Sequence, residues 1–519
     1  MMGLATATTA GTFESESATE ARSFVPSPRL FWFLLAAYFA VHVITRTLVT
    51  EAVGIDEADQ LVRGQSLRWG YGPQAPLYTW LMTFFLHTFG SSVFSLALLR
   101  ELMLFGIYAL TYLNTRTLTN SHTCGVVAAL ILQFYPTFIW ESQRELTHSI
   151  VASCMILLAL LAFQGMGRGR WWVYAAFGFS GGLAILSKYN AAVVYAALLI
   201  AALTIPSLRS RVLDGRIGLA LGTTILVVLP NASWALRHPT QASGSMYKFG
   251  IHETMPWLQA VKTGLWVWVE TAGLHILPLI VLFAVLFWRP VFSHFGSPFS
   301  LAAPKPGATA GRSLQIPEVS LLWRVFLILN VFVLLTILGF KVTAFKDRWM
   351  QPLFVWLPIL LVLGARPLLA GWRLQTIIFG GTILTLIMAI AVPGRLLLTE
   401  KRGRRDVLNA PFRSFARQLS APINSADRVI AGDYWLAGNL VLWFPSKHVH
   451  SFDLDPPPPN PRNAVFIWDA SRRQELPPAF TRLVSDLGGT NAAPRILYFE
   501  EKWKFHNSKV MRLGVIHLE

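Results

Sequence analysis

From about residue 30 to residue 396 the chain is a succession of apolar runs separated by short polar connections, and this repetition constrains the fold more than any motif does. A run of roughly 20 residues crosses about 30 Å of hydrocarbon as a helix. About eleven such runs are legible, at roughly 30–50, 91–113, 122–140, 147–165, 171–187, 190–205, 217–235, 258–288, 321–340, 351–365 and 374–396. The run at 258–288 is long and interrupted by Glu270, His275 and Pro278, which predicts a tilted or broken helix. Residues 76–90 are too short to span with ease and suit a re-entrant or interfacial position.

Composition narrows the class further. Hydrophobic residues make up 54% of the chain and charged residues 14%, with a mean hydropathy of +0.48, which excludes an ordinary soluble protein. The net charge of +17 raises nucleic acid as a partner, but the basic residues are scattered among short loops instead of forming a stripe. They read as topology signals and phosphate ligands, so no nucleic-acid partner is expected. Cys124 and Cys154 both fall in apolar runs and offer neither a disulfide framework nor metal-ligand spacing, which leaves packing as their role.

The chain divides into a polar tail at 1–29, a membrane region at 30–396 and a carboxy-terminal segment at 397–519. Residues 1–28 lack the apolar centre of a cleavable signal peptide, so the first run must serve as its own insertion signal. An odd number of spans puts the termini on opposite sides. The loops on the amino-terminal side carry Arg168, Arg170, Arg209, Arg211, Arg216, Arg366 and Arg373, which favours a cytoplasmic amino terminus. The final segment alternates in the manner of strands at Arg428, Asn463 and Arg495, with helical stretches at Tyr434 to Phe444 and Pro478 to Leu487 and a stiff loop at Pro456 to Pro459. The expected fold is a polytopic α-helical membrane protein with a small α/β domain outside the membrane.

The chemistry is expected where Asp56-Glu57 follows the first span. Acidic pairs are costly near lipid and usually face a cavity; a solvated loop is the plainer explanation. Asp59 to Trp69 suits a short helix in the interface, followed by a turn at Gly70-Tyr71-Gly72-Pro73. On this topology Asp56-Glu57, Glu141-Ser-Gln-Arg144-Glu145, Ser187-Lys188-Tyr189-Asn190, the 237–257 loop and Lys346-Asp347-Arg348 gather on one side. A base next to several cations suits transfer of a group from a phosphate-linked carrier. The carboxylate takes the acceptor proton, and the cations meet the negative charge of the departing phosphate.

Each residue has a plainer role beside that one. Arg144 can pair with Glu141 or Glu145, and Lys346 or Arg348 with Asp347, as surface ion pairs do. Lys188 lies between two apolar runs, where a lone ammonium is expensive unless it snorkels to the surface. His148 suits a packed helix residue. His252-Glu253 supplies two metal ligands where a site needs more, so a divalent cation is the one cofactor left open.

Asp56-Glu57, Pro76-Leu77-Tyr78-Thr79-Trp80, Arg144-Glu145-Leu-Thr-His-Ser, Ser187-Lys188-Tyr189-Asn190 and Lys346-Asp347-Arg348-Trp349-Met350-Gln351-Pro352 resemble the bacterial integral-membrane glycosyltransferases of the GT-C fold. The pattern is similar to the glycosyltransferase 39 family, whose relatives include protein O-mannosyltransferases and the lipid A aminoarabinose transferase. The resemblance covers the membrane region and implies a polyprenyl-phosphate sugar donor, inversion at the anomeric carbon and an active site facing the periplasm from the inner membrane. It implies catalytic carboxylates at Asp56, with Glu57 beside it, and at Glu145, where Asp is more usual. It implies donor-phosphate contacts at Lys188 and Arg348, with Lys346 and Arg144 as further candidates, and no metal triad. Gln74-Ala75-Pro76-Leu77 stands where the family has His-Pro-Pro-Leu, and Asp59 where an aromatic is frequent; both departures bear on donor or acceptor identity. The expected partners are a polyprenyl-phosphate sugar, a lipid, glycan or protein acceptor, and membrane lipids. The sugar is not named by the sequence, although abundant outer cations suit an acidic one such as a uronic acid. A transporter or flippase would place the same charges within helices near mid-bilayer. A non-catalytic scaffold would not need them at all.

Overall fold

The computed structural model describes residues 25–251, 254–294, 317–454, 463–471, 477–478, 480–481 and 495–518. The predicted stiff loop at Pro456 to Pro459, the pair His252-Glu253 and most of the predicted helix Pro478 to Leu487 lie outside the described residues. The membrane region begins with α1 (Pro28–Val49), α2 (Ile55–Gly64), α3 (Leu77–Phe89), α4 (Val93–Thr119), α5 (His122–Ile131), α6 (Pro136–Ile139), α7 (Thr147–Met166) and α8 (Trp171–Ser187). It continues with α9 (Ala191–Leu203), α10 (Pro206–Leu213), α11 (Ile217–Arg237), α12 (Pro239–Ala242), α13 (Trp257–His294), α14 (Pro317–Phe340), α15 (Asp347–Phe354), α16 (Leu357–Ala365) and α17 (Gly371–Leu397).

Among the described residues seven helices are long and apolar enough to cross a membrane, and three further apolar segments are bent pairs. With the shorter α8, these account one for one for the apolar runs of the sequence. The bends measure 83° before α6, 119° before α10 and 50° before α16. Each falls where a proline stands in the first turn of the second helix, at Pro136, Pro206 and Pro358. Proline fits that first turn, whose N–H has no intrahelical partner, and cannot continue the helix before it. The run interrupted by Glu270, His275 and Pro278 is not broken there: it continues as one helix, α13.

Local signals set the helix ends. Ser27, Ser92 and Ser121 accept hydrogen bonds from backbone N–H groups of α1, α4 and α5, satisfying donors the helix leaves orphaned. Asn120 closes α4 in the left-handed conformation that asparagine tolerates. Packing then follows from side-chain size: a Cβ on Gly178 of α8 would lie 2.0 Å from the Ala220 carbonyl oxygen of α11. Helices in lipid gain little from apolar contact itself, and small residues let their backbones approach. Cys124 and Cys154 are buried free thiols in the helical core.

After α17 come α18 (Phe412–Ser425) and α19 (Tyr434–Trp443), with strands β1 (Arg428–Ala431), β2 (Val449–Ser451), β3 (Ala464–Asp469), β4 (Ile496–Lys502) and β5 (Val510–Leu518). The sheet order is β2-β1-β3-β5-β4; β1 runs parallel to β2 and β3, and β5 antiparallel to β3 and β4. The period-two alternation expected of strands sends Val429, Val465 and Ile467 to the face covered by α18 and α19, and Ile430, Phe466 and Trp468 to the other.

This domain is fastened to the first outer segment. The Trp435 indole donates to Val53 O at 2.9 Å, Asn439 Oδ1 accepts from Val53 N at 2.9 Å, and the Trp443 indole donates to Glu51 O at 3.1 Å. Gly438 meets Ala58 of α2 so closely that a Cβ would stand 2.4 Å from the Ala58 Cα. The sheet domain therefore buttresses the helix that carries the acidic pair.

Candidate active site

The short helix predicted over Asp59 to Trp69 instead starts at Ile55 and ends at Gly64. Asp56 and Glu57 thus occupy its first turn, where a carboxylate is favoured by the helix dipole. Neighbours on a helix point about 100° apart, and the two acids face different surroundings.

Glu57 turns inward and is 1% exposed. Its Oε2 accepts from Arg46 Nη2 of α1 at 2.6 Å and from the Gly54 N–H at 3.1 Å, while Oε1 pairs with Arg100 of α4. Burial alone would raise its pKa, but Arg100 and Arg46 together hold it below the usual carboxylate range. Arg100 also donates to Gln143 O at 3.2 Å, and Gln143 to Glu101 at 3.2 Å. Glu57, expected beside the base, is engaged by a closed ion triad joining three segments.

Asp56 is half-buried and reaches across to the turn before α7, where its Oδ2 accepts from the Leu146 N–H at 3.2 Å. Leu146 sits at φ 74°, a left-handed conformation uncommon for a side-chain-bearing residue. The strained peptide aims its N–H at the carboxylate, as strained backbone at functional sites often does. Glu145, adjacent and half-buried, has its carboxyl raised by burial and then by the Asp56 charge. Asp59 is raised by burial against the opposing pull of Arg63, whose Nε donates to it at 2.9 Å.

The cations come from two distant segments. Lys188 follows the last residue of α8, and its Nζ donates to Arg348 O at 2.6 Å and to Ser149 Oγ at 2.7 Å. Ser149 donates to the same carbonyl at 2.9 Å, so α7, α8 and α15 meet at one oxygen. Burial, then the Arg348 charge, lowers the Lys188 ammonium to about 7, with Asp56 opposing. Lys346 is lowered by burial, then by Arg348 and Lys248, and Lys248 by burial and Arg348. The Thr343 and Ala344 N–H groups donate to Phe249 O at 3.1 Å, which brings the Lys248 loop onto this cluster.

Of the expected site residues, the fold brings Asp56, Glu145, Lys188, Lys346 and Arg348 into one electrostatic neighbourhood. Arg144 lies 3.9 Å from Glu141 with its guanidinium 5.8 Å from the Trp140 ring, and its charge also reaches Glu145. Lys248 and Ser149 also lie in this neighbourhood without having been singled out for it, and Asp59, noted as a departure from the family pattern, lies there too. Lys248 had a signal, as a cation in the outer loop; Ser149, an ordinary helix serine, had none. Among the described residues no group of three or more His, Cys, Asp or Glu side chains is arranged to hold a metal.

A bundle of apolar helices whose carboxylates and cations gather at helix ends, beside a small mixed sheet, defines a class. The chain is similar to multi-pass membrane glycosyltransferases and shares the GT-C fold. Residues 73–234 match the family described as dolichyl-phosphate-mannose-protein mannosyltransferase. The lipopolysaccharide core galacturonosyltransferase RgtB of Rhizobium johnstonii is 28% identical over 472 residues, which cover 88% of this chain and 91% of the relative. RgtA of the same organism is 28% identical over 424 residues, covering 80% and 81%. The crystal structure of apo ArnT from Cupriavidus metallidurans shares the fold at TM-score 0.54 and 13% identity, covering 93% of this chain and 98% of that one. ArnT bound to undecaprenyl phosphate matches with the same score.

Proposed function

We propose that this glycosyltransferase moves a sugar from a polyprenyl-phosphate donor to a hydroxyl of a lipopolysaccharide-core saccharide, on the periplasmic face of the inner membrane. The observation that carries the reading is the meeting of a half-buried carboxylate, Asp56, with Lys188 and Arg348 at the ends of helices beside the membrane bundle. Asp56 takes the proton of the acceptor hydroxyl as its oxygen attacks the anomeric carbon from the face opposite the phosphate. The carbon–oxygen bond to the phosphate breaks with inversion, and the polyprenyl phosphate leaves with its charge held by the Lys188 ammonium and the Arg348 guanidinium. Fixed cations placed where charge develops are the usual main source of such catalysis.

Glu145, one methylene longer than the aspartate expected there, positions the acceptor, and Lys346 and Lys248 widen the positive field toward the donor. Glu57 is a positioning residue that holds α2. The galacturonosyl transfer named for the two Rhizobium relatives supports a uronic acid as the donor sugar, and a carboxylated sugar suits this surplus of cations. The charges of Asp56, Lys188 and Arg348 lie at helix ends and not at mid-helix, which favours transfer over transport. Residues 397–519 then form a periplasmic domain.

The test is a panel. Membranes containing the protein are incubated with polyprenyl-phosphate-linked galacturonic acid, galactose, mannose and aminoarabinose, and core lipopolysaccharide is examined by mass spectrometry. A mass increase with the uronic acid donor is expected; an increase only with a neutral sugar removes the donor assignment. No increase with any donor removes the reaction.

A further inference from the structure

The carboxy-terminal domain carries a second basic feature away from Asp56. An open cleft of about 570 Å³ is lined by Arg413, Ala416, Arg417 and Ser420 of α18 together with Trp443 and Phe444 at the end of α19. The four α18 residues recur at the helical spacing that puts them on one face. The opposite face, Phe412, Phe415, Leu419 and Ile423, is buried against the sheet. The arginines therefore point away from a fixed support.

The position of the cleft identifies its surroundings. Glu51 follows directly on the outer end of α1; its carbonyl accepts from the Trp443 indole, and its carboxylate lies 3.8 Å from Arg413. Asn409, just before α18, donates to Leu396 O at the end of α17 at 2.8 Å. Two membrane helices thus end beside the cleft, which puts it at the level of the lipid headgroups. Tryptophan is enriched in that layer. Lys504 already answers Glu51 at 3.1 Å, while the Arg413 side chain is 58% exposed and its guanidinium lies 5.9 Å from the Trp443 ring. A planar guanidinium matches a phosphate bidentately, and two guanidinium groups one turn apart can share one phosphodiester.

We propose that this cleft binds the phosphodiester headgroup of an acidic phospholipid and so seats the carboxy-terminal domain on the membrane beside the first outer loop. Arg413 and Arg417 hold the phosphate, and Trp443 and Phe444 cover the glycerol end. The site is separate from the transfer reaction, and its test does not depend on that reading.

The experiment uses the full-length protein in uncharged detergent micelles, with lipid binding measured by native mass spectrometry against phosphatidylglycerol, phosphatidylcholine and inorganic phosphate. Phosphatidylglycerol is expected to bind about tenfold more tightly than phosphatidylcholine, whose ammonium cancels the phosphate charge. R413A/R417A abolishes that preference, and R413K/R417K retains part of it. Arg417→Ala alone, which leaves the Glu51 contact of Arg413 in place, lowers phosphatidylglycerol affinity by about threefold and decides the matter if the double variant does not fold. Unchanged phosphatidylglycerol binding in R413A/R417A, equal binding of the two lipids, or displacement of the lipid by millimolar inorganic phosphate overturns the proposal.

Discussion

Asp56 and Glu57 are consecutive acids on one turn of α2, and the protein uses them in opposite ways. Glu57 is enclosed by Arg46, Arg100 and the Gly54 N–H, so its charge is satisfied in the protein itself. Asp56 receives one backbone hydrogen bond and shares a half-exposed space with cations that are not matched by carboxylates. A closed network of charges fixes geometry, whereas an open one has work left for a ligand. The difference lies in what neighbouring elements bring: α1 and α4 bring arginines to Glu57, while the turn before α7 brings a single strained peptide to Asp56.

Substitutions that treat the two acids alike separate these roles most sharply. Asp56→Asn is expected to keep the fold and to lower the transfer rate by about 10²- to 10⁴-fold, the usual cost of removing a general base. Transfer assays on purified protein with an unchanged melting temperature check it; full activity ends the assignment. Glu57→Gln should do the reverse, leaving two buried guanidinium groups without the carboxylate they share, at a cost of about 3–5 kcal/mol in stability. Detergent-solubilised thermal unfolding reads this out, and a variant as stable as the parent would show that the triad is not a structural tie.

Next in size is the contact that supports α2 from outside. Gly438→Ala places a methyl against the Ala58 backbone, an overpacking expected to cost about 1–3 kcal/mol. Because α2 shifts with it, turnover should fall while donor affinity is kept, and a separate measurement of kcat and KM distinguishes the two. The smallest effect is the pH response of Lys188. Its pKa is lowered to about 7, so the ammonium is present below that pH and is lost as pH rises through it. The donor KM should therefore climb above about pH 7, by at most tenfold per unit. Lys188→Arg, charged throughout, should flatten the profile.

The sequence made the membrane region legible because hydrophobic length is a one-dimensional signal, and every apolar run corresponds to a described helix or bent pair. The bends were written in Pro136, Pro206 and Pro358, which carried more information than the run lengths alone. The carboxy-terminal strands at Arg428, Ala464 and Ile496 were equally open to pattern reading, whereas β2 is three residues long and too short for alternation to register. At the site, Asp56, Lys188 and Arg348 stood out as charges beside apolar runs. What could not be read was partnership, since Glu57 finds Arg100 across 43 residues. Arg46 within the first run and Arg100-Glu101 within the second were signals of a buried network, because charges inside a span need partners.

That network bears on how the protein is made. When α1 first enters the bilayer, Arg46 has no counter-ion, because the segment carrying Glu57 is still to be synthesised. The guanidinium is then expected to wait at the aqueous edge, with α1 settling at its final depth once Glu57 has emerged to pair with it. The ion triad would then act as a checkpoint in assembly, admitting the later helices only after the first two have locked together.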